Sequence, residues 1–296
     1  VEKQVQRVLP LIAAQASPRL IGEPIQAFAA EVAAAVAIQP QSKLVVFPEL
    51  HLFGDTYPDQ QRTEVLQDSA EPLDGPRVNE LRQLAADLGI WLVPGSVCER
   101  GPEGQLFNTQ LVLSPEGDLA GYYRKVFPWR PFEPYDPGDR FTTVDLEGIG
   151  RVGLNICYDA WFPEVTRQLA WMGAEVILNV VKTTTADRKQ ELVLAKANAI
   201  VNQVFMVSVN CAGPTGKGLS LIVDPEGNTI AQADDDTPTL LAAELDLSAV
   251  EHVRTHGTEN LNRPWSQFRP GEPPIELPVY QGRIDPTTWT PQSSNS

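Results

Sequence analysis

The chain has 296 residues, an apolar fraction of 42% and a formal net charge of −15. This fits one large globular domain or two smaller ones, with enough apolar residues to bury a sizeable core, and disorder is not the default reading. The acidic balance speaks against nucleic acid and anionic membrane surfaces as partners, and no apolar run reaches the ~20 residues of a membrane-spanning helix.

Strand-like and helix-like patterns alternate along the chain. Val8–Ala14, apolar behind Lys3 and Arg7, imitates a leader peptide but reads as a first strand; the sequence begins at Val1 without methionine, and trimming ahead of it stays open. Glu23–Ile38 is an alanine-rich helix punctuated by Gly22 and Pro24, and Lys43–Phe47 is a strand. Gly75–Leu88 is a helix with Asp74 as its cap, Pro76 in its first turn and Gly89 as its stop. Strands Trp91–Val97 and Thr109–Leu113 follow, and Ser114-Pro-Glu-Gly117 turns a hairpin. Strand Arg151–Cys157, helix Pro163–Met172, strand Glu175–Val181, helix Asp187–Asn202 and strands Val204–Asn210 and Leu219–Val223 come next. A second hairpin turn, Asp224-Pro-Glu-Gly227, precedes strand Leu240–Leu245. The pattern predicts an α/β domain with a mixed sheet and outer helices. Its expected limits are residues 1–250. Residues 251–296 form a proline-rich extension whose seven prolines forbid a long helix, while Trp265, Phe268, Tyr280 and Trp289 ask for a surface to bury against. A loose terminus is expected only for Gln292–Ser296.

Cys98, Cys157 and Cys211 form no C-x-x-C pair and read as reduced thiols in a cytoplasmic protein. His252 and His256 have the i, i+4 spacing of two metal ligands, but no H-E-x-x-H pattern is present and His51 stands alone, so no metal is expected. Gly213-Pro-Thr-Gly-Lys-Gly218 lacks phosphate-loop spacing, and no G-x-S-x-G elbow offers a serine nucleophile. Thiol chemistry is left. Cys157 ends Gly153-Leu-Asn-Ile-Cys157 just before a helix, where a sulfur is exposed near backbone N–H donors; a packed, inert thiol is the bland alternative. Glu49 directly follows the apolar run Leu44-Val-Val-Phe-Pro48, an unusual place for a carboxylate unless it is paired or functional, although taken alone a solvated loop residue is the better reading. Lys125 closes Tyr122-Tyr-Arg-Lys125 and leads into Val-Phe-Pro-Trp129, with Glu133 eight residues on among prolines and aromatics.

Together these segments resemble the nitrilase superfamily. Its glutamate, lysine and cysteine signatures read here Phe47-Pro-Glu49, Tyr123-Arg-Lys125 and Cys157-Tyr-Asp159, in the family's order and at similar spacing (49 to 125, 125 to 157). Glu133 matches the family's second glutamate, and Gly173-Ala-Glu-Val-Ile177, Ala197-Asn-Ala-Ile-Val-Asn202 and Leu221-Ile-Val-Asp-Pro-Glu-Gly227 are also similar to family segments. Val201 departs from the glutamate that relatives often carry there. The resemblance covers residues 5–250 approximately. It implies a four-layer α-β-β-α sandwich, no cofactor, and a homodimer or larger homo-oligomer whose tails cross between subunits.

The resemblance also implies roles. Glu49 is the general base, Cys157 the nucleophile, Lys125 and the backbone N–H of Tyr158 the oxyanion hole, and Glu133 the orienting group, acting on a small-molecule amide through a thioester. Cys98 and Cys211 are packing thiols. Nitrile-cleaving relatives typically read C-W-E, so Cys157-Tyr-Asp159 looks more like the amidases and carbamoylases. Carbamoyl or nitrile hydrolysis stays an alternative, and so does a catalytically idle binding member, although none of the four residues is lost. Where relatives acting on dicarboxylic monoamides read C-Y-D-x-R-F-P-E, this chain has Trp161 in place of the arginine. Trp161 is therefore expected to present an apolar substrate wall, the alternatives being a core or interface residue, or a cation supplied instead by Arg130 or Arg188.

Overall fold

Along the strand Val176–Val181, Val176, Leu178 and Val180 pack into one apolar cluster and Ile177 into another. This period-two division recurs through the molecule and sets two sheets face to face, with helices on their outer sides. The computed structural model describes residues 7–54 and 59–283. The first sheet contains β1 (Val8–Gln15), β2 (Leu44–Val46), β3 (Trp91–Val93), β4 (Ser96–Arg100), β5 (Leu106–Leu113) and β6 (Leu119–Arg124). The second contains β7 (Thr143–Leu146), β8 (Gly150–Ile156), β9 (Val176–Val181), β10 (Phe205–Asn210), β11 (Leu221–Val223) and β12 (Thr229–Gln232). The chain then returns to the first sheet as β13 (Thr239–Asp246), antiparallel to β1.

The helices are α1 (Ile25–Ile38), α2 (Asp59–Ser69), α3 (Pro76–Leu88), α4 (Pro163–Trp171), α5 (Arg188–Asn202) and α6 (Ser248–His256). Phe28 and Val32 of α1 and Val78 and Leu81 of α3 cover the first sheet through Ile12, Val45 and Leu92. Val165 and Leu169 of α4 and Ala195 and Ala199 of α5 cover the second through Ile177 and Met206. Between the sheets lie Leu11, Val46 and Val93 from one side and Leu154, Leu178 and Val207 from the other. This is a four-layer α-β-β-α sandwich. Its parallel strands, β1–β2–β3 and β8–β9–β10, are covered on both faces, which explains their nearly continuous apolar sequences.

The expected strand Trp91–Val97 is two strands. Leu92 pairs with Leu113 and Ser96 with Gln110, so β3 and β4 share one partner, β5, and are interrupted by Pro94 and Gly95. Three elements gave no clear periodic signal. Helix α2 buries Leu66 in an otherwise polar sequence, β7 has four residues, and α6 buries only Val250 and Val253. Helix α3 starts after Gly75 with no side-chain cap, so Asp74 does not cap it; Gly89 stops it in the left-handed conformation at φ +62°.

Helix α6 runs across residue 250, and the irregular, proline-rich segment follows Gly257. Trp265, expected to need a surface, has one on its own subunit. Its indole N–H donates to the Asn202 carbonyl at 3.2 Å, and its ring lies near Arg167, Arg254 and Trp171. Phe268 is exposed, while Trp289 and the terminus Gln292–Ser296 lie outside the described residues. No helix among the described residues is long and apolar enough to cross a membrane.

Candidate active site

Glu49 sits in the turn that follows β2, and backbone packing fixes that turn. Gly95 (φ +88°) lies so close beneath it that a Cβ there would fall 1.7 Å from the Pro48 carbonyl oxygen. Leu50, the next residue, is left-handed at φ +51°, and its N–H donates to Ser96 Oγ at 3.0 Å. The Glu49 carboxylate is therefore held against the first sheet, where Oε1 accepts from Asn108 Nδ2 of β5 at 2.8 Å and from Lys125 Nζ at 3.0 Å.

Lys125 follows β6 and has no exposed surface. Its backbone N–H donates to the Asn108 carbonyl, and its ammonium also donates to both oxygens of Glu133 at 2.8 and 2.9 Å. Glu133 is fixed in turn by the Trp129 N–H at 2.9 Å. Burial works to deprotonate Lys125, but the carboxylates of Glu49 and Glu133 dominate and hold its pKa well above the ordinary value. It is a cation shared by two anions.

Cys157 arrives from the other sheet at the end of β8. It is left-handed at φ +48°, a conformation costing about 1–2 kcal/mol for a non-glycine residue, and it opens the 3-10 turn Cys157–Trp161. The residue is half-buried. Burial raises its thiol well above the usual range, Glu49 raises it further, and Lys125 opposes both. Cys98 and Cys211 are buried and pushed up to about 12, chiefly by burial, and Cys98 lies against the Tyr135 hydroxyl. Neither belongs to this cluster.

Asp159 ties the two sheets together at this point. Its Oδ2 accepts from the Ile156 N–H and from the Tyr123 hydroxyl, both at 3.0 Å, and Oδ1 accepts from the Phe127 N–H at 2.9 Å. Tyr123 and Phe127 flank Lys125, so one buried carboxylate links the cysteine turn to the lysine segment. Gln110 adds a second tie, with Nε2 donating to the Leu178 carbonyl and Oε1 accepting from the Asn155 N–H. Asp159 was visible in the cysteine motif, although the motif says nothing of what it binds. Asn108 gave no sequence signal.

A cavity of about 50 Å³ opens over the sulfur, lined among others by Trp129, Glu133, Cys157, Tyr158, Lys182, Thr183, Asp187 and Glu191. A larger cavity of about 300 Å³ between the starts of α1 and α3 contains none of the site residues, so size alone does not locate the chemistry. Trp161 does not line the cavity over the sulfur. It is half-buried, its ring centroid is 6.2 Å from that of Tyr158, and its buried indole nitrogen has no hydrogen-bond partner among the described residues. Arg130 donates to the Glu133 and Tyr135 carbonyls, and buried Arg188 donates to those of Gly218 and Leu219 and to Glu191. Neither lines the cavity; the cation that does is Lys182. Among the described residues no group of three or more His, Cys, Asp or Glu side chains is arranged to hold a metal ion; His51 is buried against Phe28, Phe47 and Glu31, and His252 and His256 stack on exposed α6.

Comparison with known proteins bears on the family and the fold. Residues 1–255 match the family pattern described as carbon–nitrogen hydrolase. A formamidase of Pseudomonas syringae pv. tomato is 33% identical over 238 residues, covering 77% of this chain and 68% of that protein. An (R)-stereoselective amidase of a Pseudomonas species is 37% identical over 218 residues, covering 71% of this chain and 76% of that protein. Among solved structures, Saccharomyces cerevisiae Nit3, a member of branch 10 of the nitrilase superfamily, superposes with a TM-score of 0.75 at 28% identity, covering 86% of this chain and 96% of that one.

Burial, opposed by Lys125 and the three donors, leaves the Asp159 carboxyl at about 6 against an ordinary 3.8. The folded state thus holds this proton more tightly than the unfolded chain does. Its contribution to stability is present in full below about pH 4 and is lost as the pH rises through about 6. Denaturant unfolding should accordingly find the wild type losing up to ~3 kcal/mol across this window relative to Asp159→Asn, at about 1.4 kcal/mol per pKa unit. Parallel curves for the two proteins would refute the assignment.

Proposed function

This chain belongs to the carbon–nitrogen hydrolase family and is a cysteine-based hydrolase within it, and on that premise we propose that it hydrolyses a small uncharged amide with Glu49, Lys125, Glu133 and Cys157 as its catalytic set. One observation carries the reading: a fully buried ammonium bridges two carboxylates beside a thiol whose ionisation both Glu49 and Lys125 influence. Glu49 takes the thiol proton as Cys157 Sγ bonds to the amide carbon. The carbonyl oxygen becomes an oxyanion, held by Lys125 Nζ and the Tyr158 N–H, which lies in a first helical turn where N–H groups lack internal partners. Glu49 returns the proton to the departing ammonia or amine, and the C–N bond breaks to leave a thioester. Glu49 then draws a proton from water, whose oxygen attacks the thioester; the carboxylic acid leaves and the proton returns to sulfur. Glu133 holds Lys125 in place and accepts from the substrate nitrogen.

If these residues act as a unit, Cys157→Ala should abolish ammonia release from an amide. Glu49→Gln should cost about 10²–10⁴-fold and Lys125→Ala about 10²–10³-fold, with circular dichroism unchanged. A folded Cys157→Ala or Glu49→Gln variant with substantial turnover would sink the reading.

The cavity supports the substrate class. At about 50 Å³ it suits a short acyl group, and its wall holds Lys182 with Glu133, Asp187 and Glu191, of which Glu133 is paired with Lys125 and Glu191 with Arg188. Among the described residues, no arginine in that wall offers a bidentate partner to a second substrate carboxylate, and burying one unpaired is costly. Trp161 stands outside that lining, beside Tyr158, and puts a neutral indole where an arginine would offer a charge. Specificity constants should favour a neutral aliphatic amide over the omega-amide of a dicarboxylic acid, with Trp161→Arg narrowing the gap. A wild-type preference for the acidic amide would refute this.

The same reading includes a homodimer or larger homo-oligomer, and an extension over residues 251–296 that packs against a neighbour beyond the point where Trp265 is seated on its own chain. Trp171 and Val193 on α4 and α5 are 74% and 66% exposed, and Ile200 and Val201 lie half outside on α5. Apolar side chains gathered on adjacent helices favour a protein partner. Sedimentation at micromolar concentration should give a mass above the 32.5 kDa of one chain; a monomer would count against it.

A further inference from the structure

A row of buried polar groups runs from the thiol toward α5, and the catalytic set does not use it. Thr183, just after β9, has Oγ1 3.8 Å from Cys157 Sγ. The same hydroxyl donates to both Glu191 oxygens, at 2.8 and 2.9 Å. Glu191 accepts from Arg188 Nη1 at 3.1 Å. Arg188 is only 1% exposed, and it also donates to Ser208 Oγ and to the Gly218 and Leu219 carbonyls. The Thr183 backbone is pinned by its N–H to Asn210 Oδ1 at 2.9 Å.

Hydrogen counting gives this row a direction. A threonine hydroxyl has one hydrogen and two lone pairs, whereas an ionised carboxylate only accepts. Arg188 Nη1 occupies one Glu191 oxygen as donor, and the Thr183 hydroxyl donates to both. The one hydrogen of Thr183 is thereby committed to Glu191, and toward Cys157 the hydroxyl offers only lone pairs. A thiol S–H can use them; a thiolate cannot.

We propose that Thr183 is a positioning residue, fixed by the Arg188–Glu191 pair as a one-way acceptor that holds Cys157 as a directed, neutral thiol until substrate arrives. This rests on the reading of Cys157 as the nucleophile and adds how its resting state is controlled. No proton travels through Thr183. The thiol proton leaves for Glu49 only as sulfur bonds to carbon, so the free protein carries little thiolate open to oxidation or stray alkylation. The groups around the sulfur are Glu49 and Lys125 from the first sheet, Glu133 from the loop after β6, Arg188 and Glu191 from α5, and Asp187 and Lys182 in the cavity wall. Burial and the Glu49, Glu191 and Glu133 anions raise the thiol, and Lys125 opposes them. The variants below leave Glu49, Lys125 and Glu133 in place.

The test is the pH profile of iodoacetamide alkylation of the full chain, read at the Cys157 peptide by mass spectrometry. Thr183→Val removes the acceptor at nearly constant shape, Thr183→Ser restores it, and Glu191→Gln removes the anion that orients it. Thr183→Val and Glu191→Gln should each lower the midpoint by about one pH unit. That means about tenfold more thiolate at neutral pH and about threefold faster alkylation, because nucleophilicity falls with thiol pKa. Thr183→Ser should keep the wild-type midpoint. An unchanged midpoint in folded Thr183→Val overturns the proposal, as does a serine variant that behaves like the valine one. Should Glu191→Gln fail to fold with Arg188 unpaired, the two threonine variants decide the matter. The readout needs no turnover, so it is separate from the amidase reading, which fails independently if Cys157→Ala still releases ammonia.

Discussion

An ammonium with no exposed surface keeps its proton only if anions surround it, and Glu49 and Glu133 do so for Lys125 at 3.0 and 2.8 Å. Removing either carboxylate leaves a buried charge short of compensation, and removing the lysine leaves two anions facing each other. The surrounding structure serves to bring them together: Asn108 holds the Glu49 carboxylate, the Trp129 N–H holds Glu133, and the Asn108 carbonyl holds the Lys125 backbone.

The fold meets this constraint by ending several strands at one place. Glu49 follows β2 and Lys125 follows β6 in the first sheet, whereas Cys157 follows β8 and Thr183 follows β9 in the second. Apolar packing between the sheets sets their separation, and the polar ties of Asp159 and Gln110 set their alignment at the site. Left-handed backbone turns the chain at Leu50, just beyond Glu49, and at Cys157 itself, and the packed sandwich sustains that strain.

The polar groups around the sulfur divide into two sets of opposite tendency. Lys125 favours negative charge, as the oxyanion step requires. Glu191, acting through Thr183, disfavours it. On the proposed mechanism, a thiol between them is poised for attack coupled to proton transfer, without a standing thiolate.

The sequence by itself determined the alternation of strands and helices, because side-chain periodicity is a local property, whereas Glu49, Lys125, Glu133 and Cys157 were weak signals one by one and were singled out by the resemblance of their motifs, in order and spacing, to the nitrilase superfamily. It did not mark α2, whose eleven residues bury Leu66 without an apolar stripe, or the break at Pro94 and Gly95, which depends on the approach of Pro48. Nor did it give roles to Asn108, Asp159, Thr183 and Glu191, which look like ordinary polar residues of strands, turns and a helix. Only the tertiary structure decided those, along with the engagement of Arg130 and Arg188 away from the cavity and the presence of Lys182 in its wall. The physical reason is that a hydrogen bond between residues 26 or 59 positions apart depends on how two sheets are stacked and registered, and no local pattern of residues records that distance.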